Sequence, residues 1–138
     1  MSHWLLKTEP GTYSLDDLER ERQAVWDGVR NNQALQSLRQ MQKGDLAFIY
    51  HTGDDKSIVG VAEVTREAYR DPKEKDEKLV VVDLKFKRRL ENPVSLAEIK
   101  ADKRFVSLPL VRMPRLSVMP IPDSLWDALC AMGGLPKT

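Results

Sequence analysis

The chain has one cysteine, Cys130, and two histidines, His3 and His51, among its 138 residues. A disulfide within the chain is excluded, and a structural zinc site of Cys and His ligands cannot be assembled. Its seven glycines form neither a phosphate loop ending in Lys-Ser/Thr nor the spaced triple glycine of dinucleotide folds. ATP- and NAD-dependent activities drop out, and neither a cofactor nor a metal is expected. No apolar run approaches the roughly 18 residues that a membrane-spanning helix requires, and the N-terminus lacks a basic-then-apolar signal pattern. The expectation is a soluble, intracellular protein of the cytoplasm with no membrane partner. An excess of one charge is also missing: 22 basic residues face 21 acidic ones, far from the balance of a general nucleic-acid coat.

What is present suits a single domain over residues 1–138, with 41% hydrophobic residues for one core and 31% charged residues for a solvated surface. The charge is unevenly placed. Residues 1–83 hold 12 basic and 16 acidic side chains, and residues 84–138 hold 10 and 5, so a basic face can exist on a nearly neutral protein.

Local signals give an α+β pattern. His3 to Lys7 reads as a strand and Pro10-Gly11 as a turn. Ser14 with Asp17 makes a capping box for a short helix ending near Arg22. Ala24-Val25-Trp26 is extended, Asp27-Gly28 turns, and Asn31 caps a helix with Ala34, Leu35, Leu38 and Met41 at helical spacing. Leu46 to Thr52 and Ser57 to Thr65 read as a hairpin. Asp71 to Lys78 is a charge run expected as an exposed loop without function. Leu79 to Leu90 alternates as a half-buried strand, and Ser95 with Glu98 starts another short helix. A last strand spans Arg115 to Pro120, and a C-terminal helix over Asp123 to Met132 packs Leu125, Leu129 and Met132. Five or six short strands without βαβ repetition predict a mixed sheet in a small, partly closed barrel with short helices inserted.

Catalytic motifs are not in evidence. His3 and His51 are the only imidazole bases, neither in a recognisable setting, and Cys130 in mid-helix reads as a small packed hydrophobe. What stands out is the grouping of polar and aromatic residues at strand ends: Lys7-Thr8-Glu9-Pro10, Trp26 to Ala34, Phe48 to His51 and Arg115 to Val118. A barrel mouth with aromatic walls and a few amide or hydroxyl groups suits a flat heterocycle, and a nucleobase is the obvious one.

In this order the stretches resemble the EVE domain family. Trp4 to Pro10, Tyr13-Ser14 and Asp16-Asp17-Leu18 match its opening pattern, and Trp26 to Asn31 with Gln33-Ala34 its second motif. Met41, Gly44-Asp45, Tyr50-His51, Val59 to Val64 and Arg115 to Val118 match the rest. Asn32 stands where many members have Tyr, and Thr52 where Ser is common.

The resemblance implies a PUA-like pseudo-barrel, similar also to the YTH domain, that binds a modified nucleobase in DNA or RNA rather than acting as an enzyme. It implies a base pocket from Lys7, Thr8, Glu9, Trp26, Asn31, Tyr50, His51, Arg115 and Ser117, with Trp26 as a wall, Tyr50 or an aliphatic face opposite, and phosphate contacts from Arg30, Lys85 and Arg88. A separate nuclease or helicase is the implied partner. Two other classes compete: a hydrolase similar to the ASCH domains, using Glu9, Lys7 and His51 as acid and base, and a module for a peptide or metabolite.

Overall fold

Local hydrogen bonds start most of the helices in this computed structural model, which describes residues 2–135. Strand β1 (His3–Thr8) leads to α1 (Leu15–Glu21), where Ser14 accepts from the Asp17 amide and Asp17 accepts from Ser14, closing the expected capping box. Strand β2 (Gln23–Trp26) precedes α2 (Asn32–Gln40), capped by Asn31 Oδ1 accepting from Ala34 N at 3.0 Å. Strands β3 (Leu46–His51) and β4 (Ser57–Arg70) form the predicted antiparallel hairpin. Strand β5 (Val80–Ser95) runs into α3 (Leu96–Ala101), which Ser95 and Glu98 cap as expected. A 3-10 turn (Lys103–Phe105), α4 (Pro109–Arg112), β6 (Val118–Ile121) and α5 (Asp123–Met132) follow.

The six strands make one sheet in the order β2-β5-β4-β3-β1-β6. Only β1 and β3 run parallel; the other pairs are antiparallel. The sheet does not close into a barrel, because β2 and β6 remain edges. Helix α2 packs against β4, β5 and β6 and occupies the space inside the curl.

Several strand limits differ from the sequence reading for identifiable reasons. Bulges let β4 and β5 run on past Thr65 and Leu90, since each shift of register absorbs a residue without ending the ladder. The last strand begins at Val118 rather than Arg115, and Pro120 lies within it opposite Trp4. An edge strand tolerates the missing amide. Helix α4, not expected from the sequence, has Pro109 at its first turn, where the fixed φ and missing amide suit a helix start.

The core has an aromatic stack at its centre: Trp126 lies 3.8 Å from Phe48 and 4.3 Å from His3 between ring centroids. Trp126, rather than Leu125 or Met132, is thus the main anchor of α5, beside Leu129 and Cys130. Buried Asp45 ties β1 to the turn before β3, its carboxylate accepting from Trp4 Nε1 at 2.9 Å and Gln42 N at 3.0 Å. Gly60 makes room for α1, since a Cβ there would lie 2.7 Å from the Leu15 methyls.

Candidate functional site

A cleft of about 720 Å³ lies where the two ends of the curled sheet approach each other. One side is the whole of edge strand β2 with the Asp27 to Arg30 turn; the other is the end of β1 at Lys7 and Thr8, together with Ser117 just before β6. The Lys7 amide donates to the Ser117 carbonyl at 2.9 Å, which fixes that wall. Because β2 has only β5 as a neighbour among the described residues, one row of its backbone amides and carbonyls is unpaired by strands and borders the cleft.

Two aromatic rings meet here. Tyr13 and Trp26 lie 6.1 Å apart at an interplanar angle of 84°, edge to face. Trp26 is 7% exposed and forms the floor, with Ala24 and Val29 adding apolar surface. Tyr13 is held by its hydroxyl, which donates to Glu21 Oε1 at 2.8 Å. Burial first, and then the Glu21 carboxylate, push the phenol well above its ordinary pKa. Thr8 Oγ1 donates to the Tyr13 carbonyl at 2.7 Å, joining the walls.

The polar rim mixes signs. Lys7, Arg30 and Lys73 stand against Glu21 and Asp27. Lys7 Nζ donates to the Pro114 carbonyl at 2.9 Å and lies 5.6 Å from the centre of the Tyr50 ring. Burial lowers its pKa. Arg30 pairs with Glu74 at 3.0 Å. Through that pair and Lys73, the charge run of Asp71 to Lys78 reaches the cleft, a contribution that its composition does not announce.

Of the residues singled out in the sequence, the structure brings Lys7, Thr8, Trp26, Arg30 and Ser117 to this cleft. The others face elsewhere. Glu9 accepts from Gly11 N at 3.0 Å and Thr52 Oγ1 at 3.3 Å. Asn31 spends its side-chain oxygen on the α2 cap, and with Arg115 it borders a second depression. Tyr50 is buried beneath Lys7 rather than opposite Trp26; Tyr13 has that place.

His51 is engaged at both nitrogens, its Nε2 accepting from the Leu15 amide at 3.0 Å and its Nδ1 facing Asp55 Oδ2 at 3.0 Å. Its basic lone pair already serves the first turn of α1, so of the acid–base set of the hydrolase alternative Lys7 alone lines the cleft. Lys85 leans to Glu63 at 3.7 Å, and Arg88 borders a small depression beside Trp126 and Cys130; neither lines the cleft. Thr12, Tyr13, Glu21, Gln23, Ala24, Val25 and Lys73 also line the cleft and were not among the residues singled out. Of these only Tyr13 carried a signal, its place in the opening motif. No group of three or more metal-ligating side chains and no helix long and apolar enough to cross a membrane occurs among the described residues.

An open mixed sheet curled around a helix, with a ligand-sized cleft between its ends, makes this a PUA-like α+β protein. The ASCH protein of Zymomonas mobilis shares the fold, with a TM-score of 0.61 over 94% of each chain at 13% identity. Within that class the chain belongs to the EVE family, whose EVE domain model matches residues 2–132. Human thymocyte nuclear protein 1 is 30% identical over 95% of this chain and 73% of its own length. A Rhodopseudomonas palustris protein solved by NMR superposes with a TM-score of 0.92 at 41% identity, covering 97% of this chain and 94% of that one. The crystal structure of human THYN1 protein in complex with 5-methylcytosine containing DNA superposes with a TM-score of 0.89 at 29% identity, covering 99% of both chains.

Proposed function

We propose that the cleft between β2 and Ser117 takes a modified nucleobase, 5-methylcytosine in DNA being the first candidate, and that the protein binds this base without transforming it. The observation that carries the reading is the perpendicular Tyr13–Trp26 pair in a cleft of ligand size. A base that enters can stack on one ring and set its own edge against the face of the other. The THYN1 complex supports the choice of ligand.

Taking a base out of a duplex costs a few kcal/mol. Stacking on an aromatic ring returns about 1 to 3 kcal/mol, and a methyl group in an apolar slot beside Ala24 and Val29 adds roughly 0.8 kcal/mol. The unpaired edge of β2, with the hydroxyls of Thr12 and Ser117, supplies partners for the polar edge of the base. Lys7, Arg30 and Lys73 offer charge to the flanking phosphates. A module of this kind marks a site for a separate nuclease or helicase.

The test is a titration at fixed low salt with short single- and double-stranded DNA and RNA carrying 5-methylcytosine, cytosine, N6-methyladenine or adenine. The methyl term alone corresponds to about fourfold, so a preference of at least that size for one modified base is expected. Equal affinity for modified and unmodified oligonucleotides overturns the reading.

A further inference from the structure

A second depression of about 320 Å³, formed by Asn31, Gln33, Met113, Pro114, Arg115 and Leu116, lies beside the cleft. The two share a wall. Arg30 and Ser117 line the cleft, while their chain neighbours Asn31 and Leu116 line the groove. Lys7 Nζ, from the cleft, donates to the carbonyl of Pro114 in the groove at 2.9 Å. The groove is walled mainly by apolar atoms of Met113, Pro114 and Leu116. Met113 is 39% exposed, unusual for a large apolar side chain in this protein, and Gln33 Nε2 approaches its sulfur at 3.8 Å. Among the described residues no carboxylate lines the groove, and Arg115 gives it a positive charge.

We propose that this groove seats the base next to the one inserted in the cleft, on the same strand, so that the protein reads its modified base in a dinucleotide context. The inference rests on the function proposed above. Removing a base from a stack leaves one face of its neighbour without a partner. The flexible thioether of Met113, with Pro114 and Leu116, offers that face an apolar seat contiguous with the cleft. The guanidinium of Arg115 and the amide of Gln33 provide donors at the rim. Donors favour a base with two acceptors on one edge, which is guanine.

The experiment uses single-stranded oligonucleotides with one 5-methylcytosine or one cytosine, whose 5′ and 3′ neighbours are each in turn guanine, adenine, thymine or an abasic site. Wild type, Met113→Ala and Gln33→Ala are compared; both substituted side chains are exposed, and thermal unfolding verifies that the variants fold. Wild type is expected to bind about fivefold or more tightly with guanine than with an abasic neighbour, on one side only. Met113→Ala reduces that ratio to under about twofold and leaves the preference for 5-methylcytosine over cytosine unchanged. An intact 5-methylcytosine preference that ignores both neighbours overturns the inference while sparing the proposed function. If that preference is absent, the proposed function has failed. A neighbour effect abolished by Met113→Ala then still supports the groove as a base seat, and its absence overturns both.

Discussion

His51→Ala distinguishes a structural imidazole from a ligand-reading one. Leu15 is fully buried, and its amide, in the first turn of α1, donates to His51 Nε2. Truncating the ring leaves that donor without a partner away from water, a cost of about 1 to 3 kcal/mol. Loss of the Nδ1 bond to Asp55 and of ring packing adds about 1 kcal/mol, so the expected destabilisation is about 2 to 4 kcal/mol. That is a large part of the roughly 5 to 15 kcal/mol typical of a whole domain, and at about 3 °C per kcal/mol it lowers the melting temperature by roughly 6 to 12 °C. Asp55→Ala serves as the control, since its carboxylate is 54% exposed and its loss should cost under about 1 kcal/mol. Urea unfolding followed by tryptophan fluorescence measures both. His51→Ala protein kept folded at low temperature should bind modified DNA within about twofold of wild type. A His51→Ala stability within about 0.5 kcal/mol of wild type, or a folded variant that no longer binds, would refute the reasoning.

Burial pushes the Cys130 thiol up to about 11, with nearby Asp127 adding to the effect and Arg88 opposing it. Iodoacetamide at pH 8 should therefore label the native protein about a hundredfold more slowly than the urea-unfolded chain, and similar rates would contradict the packing. The Asp17 carboxyl is held below its ordinary pKa by the Ser14 amide first and then by Arg20. Its stabilising contribution is present above pH ~4 and is lost as pH falls through the lower folded value. Stability measured across that acid range should fall less steeply in Asp17→Asn than in wild type; identical slopes would count against the pairing. Lys73→Ala should weaken binding to modified and unmodified DNA alike and reduce the salt slope by about 1, whereas Lys85→Ala and Arg88→Ala leave the slope unchanged. The reverse pattern would move the phosphate track to β5.

Helix starts at Ser14, Asn31 and Ser95 were legible because a cap needs only residues within a turn of itself. The β3–β4 hairpin and the span of α5 were equally local. Long-range partners were not. Nothing around His51 tells that an amide 36 positions earlier needs an acceptor. Nor does the charge run announce that Glu74 pairs with Arg30, 44 positions away. Lys85 and Arg88 stand on a recognisable strand, but which way their head groups lean depends on Glu63 and on the packing of α5. Trp26 was singled out from the order of motifs rather than from its own surroundings. Tyr13, next to the cap of α1, reads as an ordinary neighbour until the fold sets it against Trp26.

The most direct test of the cleft as a base site is an NMR experiment on a complex with DNA bearing a 13C-labelled methyl group on a single cytosine. The account predicts intermolecular contacts from that methyl to the Trp26 or Tyr13 rings and to the Ala24 and Val29 methyl groups. It also predicts their disappearance in a folded Trp26→Ala variant. Methyl contacts confined to residues outside the cleft, or a methyl resonance that stays at its free-DNA position in saturated complex, would contradict it.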